Sequence, residues 1–384
     1  MGRVAPLQEA YQAMPKQSIA NHLVHAWYEK SAWLWLLAPI SLLFGLLSLV
    51  RRWWLKKAWS RRPSDLVPVV VVGNITVGGA GKSPLVAYLV RSFEQQGLRA
   101  GIVSRGYGAE TSIQQPILLT DQSTAAEVGD EPLMLFQQLA CPVCVSPNRG
   151  EAVAHLSKLG CDIIISDDGL QHYAMQRDIE ICVFDAQRLW GNGWLLPAGP
   201  LREPLSRLKE VDFVIFNGGD APSQEVLTNI ESSRCLRMDL APQELQSLDG
   251  TSSFSLDALR NRSISAVAGI GNPERFFRTL ESLGARVTSY SFGDHHAYQV
   301  ADFEPILSSM SDSMIVMTQK DAVKCRNIAI EKAWYLPVSA QLSDNLAQKI
   351  ISQLHSQGRL LQSSETKLAA SNTANTYHDT RLDS

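Results

Sequence analysis

The chain has 384 residues, of which 45% are hydrophobic and 19% charged, and its 35 Lys and Arg residues against 38 Asp and Glu residues give a formal net charge of −3. This composition is typical of a globular protein long enough to form two domains, and it excludes a chain that is disordered, collagen-like or coiled-coil throughout. The near-neutral balance gives no reason to expect a nucleic-acid partner, because polyanion binding needs a basic surplus or a clear basic face.

The first feature along the chain is an apolar segment, Ser31–Val50, which contains no charged side chain. As a helix, its twenty residues are long enough to cross about 30 Å of hydrocarbon. A cleaved signal peptide is disfavoured because thirty mixed residues precede the segment and basic residues follow it. A core helix is disfavoured because a helix that is apolar all round needs burial on every side. We therefore predict a membrane-associated helix that either spans the bilayer or lies in its interface.

Basic and tryptophan side chains follow this segment. Six of the nine tryptophans lie between residues 27 and 59, as expected at a boundary between water and lipid. The basic residues are Arg51, Arg52, Lys56, Lys57, Arg61 and Arg62. Such a cluster stays on the cytoplasmic side and is attracted to anionic phospholipid by ~1 kcal/mol per basic residue. We assign residues 1–62 to an N-terminal membrane helix with a basic juxtamembrane segment, and expect membrane phospholipid as a partner.

A strand, a glycine-rich loop and a helix come next. The β-branched run Val67–Gly73 lacks alternation, which is typical of a parallel strand covered on both faces, and apolar residues at helical spacing continue to Gly97. Between them, Lys82 is placed to reach the β- and γ-phosphates of ATP, and the Ser83 hydroxyl is placed to hold Mg²⁺. The strict GxxxxGK[ST] pattern is not met, since Thr76 occupies its first glycine position. The predicted nucleotide-binding residues are Thr76, Val77, Gly78, Gly79, Ala80, Gly81, Lys82 and Ser83.

Five further strands are predicted before residue 217, and they alternate with helical stretches in the manner of a parallel α/β sheet. They are Arg99–Ser104, Pro142–Ser146, Ile163–Ser166, Glu180–Asp185 and Val211–Phe216. Asp167 and Asp168 directly follow one of these strands, and a carboxylate at that end of a strand is placed to hold Mg²⁺ beside the phosphates. We predict both as metal ligands and leave open which of them contacts the ion.

A smaller α/β layer is predicted after the first domain. Its strands are Ser263–Ile270, Arg286–Ser291, Met314–Thr318 and Trp334–Val338, and its helix is Pro273–Leu283. The predicted fold is therefore α/β, with a first, phosphate-loop domain built on a parallel sheet and a second, smaller α/β domain. The predicted boundaries are 63–225 for the first domain, 226–361 for the smaller domain, and 362–384 for a disordered tail poor in large apolar residues.

Eight separated motifs occur in one order along the chain. They are the loop GNITVGGAGKSP from Gly73, Ser104–Gly108, Gly129–Pro132, Ser166–His172, Leu196–Pro204, Ala268–Gly271, Asp294-His295 and Thr318–Lys324. Together they resemble the tetraacyldisaccharide 4′-kinase family, the lipid A 4′-kinases of Gram-negative bacteria. The resemblance runs from the apolar segment to about residue 358.

The resemblance implies two α/β/α domains with a cleft between them, which the smaller domain closes, and an N-terminal membrane helix. It also implies an enzyme of lipid A biosynthesis at the cytoplasmic face of the inner membrane. Its cofactors would be ATP and Mg²⁺, and its substrate would be a tetraacylated glucosamine disaccharide 1-phosphate that is phosphorylated on the 4′-hydroxyl. No obligate protein partner is inferred.

The resemblance also assigns roles to individual residues. Asp130 would be the base that takes the proton of the sugar hydroxyl, with His295 as its partner from the other domain and Lys82 on the phosphates. His296 is the adjacent alternative to His295. Side chains whose role stays open between phosphate binding and structural ion pairs are Arg105, Arg202, Lys320 and Asp321.

Two other functions remain as alternatives. The loop also resembles that of membrane-bound partition and sorting ATPases, but Val77 stands where those proteins carry a signature lysine. The second alternative is a membrane-bound nucleotide-binding protein without transfer chemistry. It is disfavoured because it gives no function to the motifs around Asp130 and Leu196–Pro204.

Overall fold

The computed structural model describes residues 19–58, 67–109, 113–219, 230–308, 314–326, 328, 330 and 332–360. The helices are α1 (Ile19–Glu29), α2 (Ala38–Ala58), α3 (Lys82–Gln95), α4 (Ala125–Val128), α5 (Asp130–Gln138), α6 (Arg149–Lys158), α7 (Pro273–Ser282), α8 (Val300–Ser308), α9 (Gln319–Cys325) and α10 (Leu346–Ser356). The strands are β1 (Val69–Gly73), β2 (Ala100–Ser104), β3 (Ile117–Leu118), β4 (Val143–Val145), β5 (Ile163–Ser166), β6 (Ile179–Asp185), β7 (Phe213–Asn217), β8 (Cys235–Pro242), β9 (Leu245–Ser247), β10 (Ser253–Phe254), β11 (Ser263–Ala268), β12 (Arg286–Ser291), β13 (Met314–Thr318), β14 (Ala333–Leu336) and β15 (Val338–Leu342).

Nine strands form the larger sheet, in the order β15-β8-β7-β6-β1-β5-β2-β4-β3. Neighbouring strands are parallel except at the two edges, where β15 pairs antiparallel with β8 and β3 with β4. Strand β1, which precedes the glycine-rich loop, lies between β5 and β6. The carboxyl ends of β1, β2, β5, β6 and β7 therefore meet along one edge of the sheet, which is where the predicted site residues begin.

The larger sheet is covered on both faces, as the unalternating valines of β1 predict. Val70 and Val72 point into a core with the apolar face of α3, whereas Val69 and Val71 point into a second core on the opposite face. Every residue of β1 is buried. The prediction of a parallel α/β sheet built on this strand is confirmed, and the strand bounds agree with the sequence to within two residues.

Six strands form the smaller sheet, in the order β10-β9-β14-β13-β11-β12. The strands β14, β13, β11 and β12 are parallel, and β9 and β10 extend the sheet in antiparallel fashion. The amphipathic helix α7 buries Phe276, Phe277 and Leu280 against it, and Pro273 occupies the first turn of this helix. The four strands and the helix predicted for this layer are confirmed.

The predicted division of the chain near residue 225 needs a correction. Strands β8 and β15 pair within the larger sheet, and α10 buries apolar residues in the core beside α3. The chain crosses between the sheets twice, and the two crossings are joined by a hydrogen bond from the Gln243 N–H to the Pro337 carbonyl (2.9 Å). Pro337 separates β14 from β15, and because proline lacks an N–H it interrupts a continuous strand. Residues 235–242 and 338–356 therefore belong with the first domain rather than with the second.

The apolar segment forms a 3₁₀ helix, Ala32–Leu37, followed by α2. In the described part of the chain, Ala32–Leu55 is the stretch long and apolar enough to cross a membrane, with a mean hydropathy of 2.1 and 17% of its window buried. Its length and composition are also compatible with a core helix or a signal sequence. Pro39 lies in the first turn of α2, where its missing N–H costs no helical hydrogen bond. The predicted tail, 362–384, lies outside the described residues.

Candidate active site

The glycine-rich loop joins β1 to α3 at the shared edge of the larger sheet. Gly78 and Gly81 adopt φ angles of 104° and 90°, which side chains with a Cβ rarely adopt. The Asn74 amide donates to the Gly78 carbonyl (3.1 Å), and the Asn217 amide at the end of β7 donates to the Ala80 carbonyl (2.9 Å). A Cβ at Gly78 would meet no atom within 4 Å, so the loop presents an open concave backbone. This geometry fits a phosphate cradle ahead of a helix N-terminus.

Lys82 is the first residue of α3, and its ammonium group lies among polar side chains. Its Nζ is 3.5 Å from the Asn74 Oδ1 and 3.5 Å from the Asp168 Oδ1. The other oxygen of Asp168 lies 3.5 Å from the Arg202 Nη1. Burial alone would raise the pKa of Asp168, but Lys82, Arg202 and Arg149 outweigh it and lower that pKa. Asp168 is therefore an ionised partner of Lys82.

Asp167 lies one residue earlier in a different environment. It is 1% exposed, and within the described residues neither of its carboxyl oxygens has a hydrogen-bond partner. Burial, first, and the negative charges of Glu131 and Asp168 together raise its pKa to about 7, against the opposing charges of Lys82 and Arg149. The structure thus separates the two acids that the sequence predicted together: Asp168 forms ion pairs with Lys82 and Arg202, whereas neither oxygen of Asp167 has a hydrogen-bond partner in the described residues. In the described part of the chain, no three His, Cys, Asp or Glu side chains are close enough to form a metal cluster by themselves.

Asp130 and His295 come from the two different sheets and contact each other. Asp130 begins α5 and is 6% exposed, and its Oδ2 lies 3.0 Å from the His295 Nδ1. His295 follows β12 with a φ of 60°, and the Tyr107 ring packs edge-on against its imidazole at 5.2 Å between centroids. The adjacent His296 bonds Asp302 instead, at 2.9 Å. The geometry therefore places His295, and not His296, beside Asp130.

Comparison with known proteins agrees with these features. A family model described as tetraacyldisaccharide-1-P 4′-kinase matches residues 33–355. The chain is 44% identical to the tetraacyldisaccharide 4′-kinase of Aeromonas salmonicida, covering 87% of this chain and 97% of that protein, and 44% identical to that of Legionella pneumophila strain Lens, covering 86% and 97%. This chain belongs to the tetraacyldisaccharide 4′-kinase family. The resemblance inferred from the eight motifs is confirmed.

A solved structure shares the fold. The crystal structure of LpxK from Aquifex aeolicus, determined in complex with ATP, has a TM-score of 0.67 and 28% identity, covering 84% of this chain and 98% of that one. The family's members are kinases, so the chain is an enzyme of lipid A biosynthesis rather than a partition or sorting ATPase. Val77, where those ATPases carry a lysine, agrees with this outcome.

The sequence left the role of Lys320 open and predicted none for Glu131. Lys320 Nζ lies 3.2 Å from the Glu131 Oε1, 3.0 Å from the Asp294 Oδ1 and 3.5 Å from the His295 Nε2, so it borders the Asp130–His295 pair. Glu131 lies in the motif Gly129–Pro132, but the sequence predicted no role for it. Residue spacing alone does not show that the helix brings its side chain near Asp167. The pKa of Lys320 is raised by the two acids despite burial, so Lys320 is a cation at this site.

Asp321 has a structural role inside the smaller sheet. It is fully buried, and its Oδ2 accepts from the Thr318 hydroxyl (2.6 Å) and the Gly269 N–H (2.9 Å). Lys324 pairs with its other oxygen at 2.9 Å. Asp321 thus holds the turn that carries Lys320 and does not itself reach the Asp130–His295 pair.

Proposed function

We propose that this kinase binds Mg²⁺-ATP on the glycine-rich loop and uses Asp130 to deprotonate the 4′-hydroxyl of its tetraacyldisaccharide 1-phosphate. One observation supports this most strongly. The charges of Lys82 in the loop and of Glu131 both act on the pKa of Asp167, and Glu131 adjoins Asp130 in α5. The candidate base and the glycine-rich loop therefore both lie near one buried carboxylate.

ATP would bind with its phosphates against the loop backbone between residues 76 and 81. Lys82 would leave the Asp168 oxygen at 3.5 Å and meet the β- and γ-phosphate oxygens, whose charge is greater. Thr76 is buried at the start of the loop and supplies backbone, whereas the Ser83 side chain is half-buried at the helix start. Phosphoryl transfer needs positioning and charge neutralisation, which these groups supply.

The residues present fit a magnesium ion. Asp167 offers two buried oxygens without hydrogen-bond partners in the described residues, and Glu131 is a second carboxylate whose charge acts on it. The Ser83 hydroxyl at the start of α3 would be a further ligand, as the sequence predicts. Hard cations such as Mg²⁺ prefer carboxylate and hydroxyl oxygens. When bound, the ion would neutralise charge that develops on the phosphates. Asp168 would act mainly by balancing the positive charges of Lys82 and Arg202. Of the two acids, Asp167 is therefore the proposed Mg²⁺ ligand.

The transfer step would proceed through Asp130 and His295. Asp130 takes the 4′-hydroxyl proton as the sugar oxygen forms its bond to the γ-phosphorus, and the bond from that phosphorus to the bridging oxygen breaks to release ADP. His295 donates from Nδ1 to the Asp130 Oδ2 at 3.0 Å and so orients the carboxylate. Because Lys320 lies 3.5 Å from the other imidazole nitrogen, it favours the tautomer that leaves that nitrogen unprotonated.

Positive charge beside the loop would bind the 1-phosphate of the lipid. His172 is half-buried, and its Nε2 has no hydrogen-bond partner in the described residues. Its pKa is lowered to about 4, first by burial and then by four arginines. They are Arg149, Arg177, Arg105 and Arg51. Arg51 belongs to α2, so this basic cluster adjoins the apolar helix on which acyl chains would rest.

The exposed apolar face of α2 would lie in the inner membrane, with the catalytic body on its cytoplasmic side. Leu42, Leu43, Leu46 and Leu47 are each 56–68% exposed, and Trp53 and Trp54 are 65% and 67% exposed near the basic end of the helix. An apolar patch of this kind is unusual on a soluble surface. The basic residues after it favour the cytoplasmic leaflet and its phospholipid.

Substitution of the Asp130–His295 pair tests the assigned roles. The Asp130→Asn variant should lower kcat by about 10²- to 10⁴-fold, the range expected for loss of a general base. The matched control is Asp302→Asn, which breaks the neighbouring pair with His296 and should leave kcat within about twofold. Turnover is measured as labelled phosphate transferred to lipid in detergent micelles. Equal losses in the two variants would overturn the assignment of the base.

A further inference from the structure

The segment 194–202, here called the strap, lies between the N-terminal helices and the glycine-rich loop. On the loop side its backbone pairs with the residues that precede Gly78. The hydrogen bonds are from the Val77 N–H to the Pro200 carbonyl (2.9 Å) and from the Arg202 N–H to the Ile75 carbonyl (2.7 Å), on either side of an antiparallel bridge between Thr76 and Leu201. The position of the strap therefore sets the position of the loop backbone.

The opposite side of the strap is hydrogen-bonded to the N-terminal helices. The Ser41 hydroxyl donates to the Leu195 carbonyl and accepts from the Ala198 N–H, both at 2.9 Å. The Trp27 indole N–H donates to the Pro197 carbonyl at 2.9 Å. Ser41 is 1% exposed on a helix whose apolar side chains face outward. A buried hydroxyl that makes two bonds to one loop constrains that loop strongly.

A side chain of the glycine-rich loop also packs directly on these helices. Ala26, Trp27 and Leu34 form a small buried cluster, and Val77 and Leu196 pack against it. Val77 immediately precedes Gly78, whose backbone is part of the phosphate cradle. The apolar helices are thus in contact with the loop itself as well as with the strap.

We propose that Ser41 and Trp27 are positioning residues for the nucleotide site, so that the helices proposed to contact the membrane also hold the loop in its ATP-binding shape. Ser41 and Trp27 fix the strap by their hydrogen bonds, and the strap in turn fixes the loop through its hydrogen bond with the Val77 N–H. This inference rests on the proposed binding of ATP at the loop. It assigns the N-terminal helices a task in nucleotide binding that is separate from their contact with lipid.

The experiment compares Ser41→Ala with the unchanged chain, full length and in detergent micelles. We expect the KM for ATP to rise about five- to tenfold, the effect of losing one to two net hydrogen bonds, with the KM for lipid and co-sedimentation with phospholipid vesicles unchanged. Trp27→Phe keeps the ring in the cluster but removes the N–H, and should raise the same KM about two- to fivefold. Calorimetric titration with a non-hydrolysable ATP analogue and Mg²⁺ should show the same weakening.

The control is Ser48→Ala, which removes a hydroxyl from the same helix two turns away and should leave the KM for ATP unchanged. The inference is overturned when both Ser41→Ala and Trp27→Phe bind the nucleotide as the unchanged chain does. It is also overturned when the KM values for ATP and lipid rise in equal proportion, since that indicates general loosening. Absence of phosphate transfer by the unchanged chain would instead contradict the proposed function.

Discussion

Asp167 and Asp168 follow β5 directly, but their surroundings differ and shift their pKa values in opposite directions. Asp168 adopts a φ of 47° and turns toward Lys82 and Arg202, which lower its pKa. Asp167 remains among buried groups that raise its pKa to about 7. The sequence predicted that a carboxylate would end this strand. It did not show which of the two acids is unpaired, because that depends on arginines from distant segments.

The raised pKa of Asp167 predicts a pH effect on stability without metal. Its pKa is 3.8 in the unfolded chain and about 7 when folded, so the folded state binds more protons between these values and loses stability as the pH rises through this window. The Asp167→Asn variant does not lose stability in this way, because the Asn side chain does not titrate. Its melting temperature in EDTA, relative to the unchanged chain, should therefore rise from pH 4 to pH 7 and level off above.

Magnesium and a surface control complete this test. Mg²⁺ should raise the melting temperature of the unchanged chain more than that of Asp167→Asn, because the proposed ion would bind the ionised carboxylate only in the folded state. Asp121→Asn, at an exposed position, should show no such pH-dependent difference. A difference between Asp167→Asn and the unchanged chain that is constant with pH would contradict the account of this residue.

At the scale of elements, the sequence pattern predicted ten of the fifteen strands in the described part of the chain and missed β3, β8, β9, β10 and β15. The run in β5 and the amphipathic helix α7 were predicted with nearly the observed bounds, because burial on one face or on both leaves a local signature. Sheet membership leaves no such signature. The segments of β8 and β15 fell within the predicted smaller domain without being predicted as strands, yet pairing with β7 and with each other places them in the first sheet.

The apolar helix α2 makes a prediction of its own. Leu43 and Leu46 are 56% and 59% exposed, so their replacement by Glu costs little in the folded body but removes apolar area that would enter the bilayer. The double variant Leu43→Glu with Leu46→Glu should partition into phospholipid vesicles at least about 100-fold less, with an unchanged melting temperature. Co-sedimentation measures the partitioning.

The control for α2 is an exposed leucine elsewhere. Leu307 on α8 is 37% exposed, and Leu307→Glu should sediment with vesicles as the unchanged chain does. Equal release of the two variants would show that general charge, and not the face of α2, governs membrane binding.

At the scale of the whole molecule, residues of the proposed site come from the layers of both sheets. Asp130 and Glu131 come from the larger sheet's layer, and His295 and Lys320 from the smaller one. The motif order along the chain predicted this convergence for Asp130 and His295 through the family resemblance. Glu131–Lys320 was not predicted, because a contact between residues 189 apart depends on how the two layers pack.

Substitution of Lys320 tests whether this residue of the smaller sheet's layer acts beside Asp130 and His295. Lys320→Met removes the cation that borders Glu131, Asp294 and His295, and should lower kcat about 10- to 100-fold while the KM for ATP changes less than about threefold. Lys349→Met, which breaks an exposed pair with Asp344 on α10, should leave both constants unchanged. A rise in the KM for ATP with kcat preserved would place Lys320 on the nucleotide rather than beside the base.

The most direct test of the central claim is the fate of the γ-phosphate. The full-length chain in detergent micelles is supplied with Mg²⁺, γ-labelled ATP and tetraacyldisaccharide 1-phosphate, and the lipid product is separated and its phosphate positions assigned by NMR. The account predicts one label per disaccharide, as a monoester on the 4′-oxygen, and loss of that product in Lys82→Ala. Hydrolysis of ATP with all of the label in inorganic phosphate, or label on another hydroxyl, would contradict it.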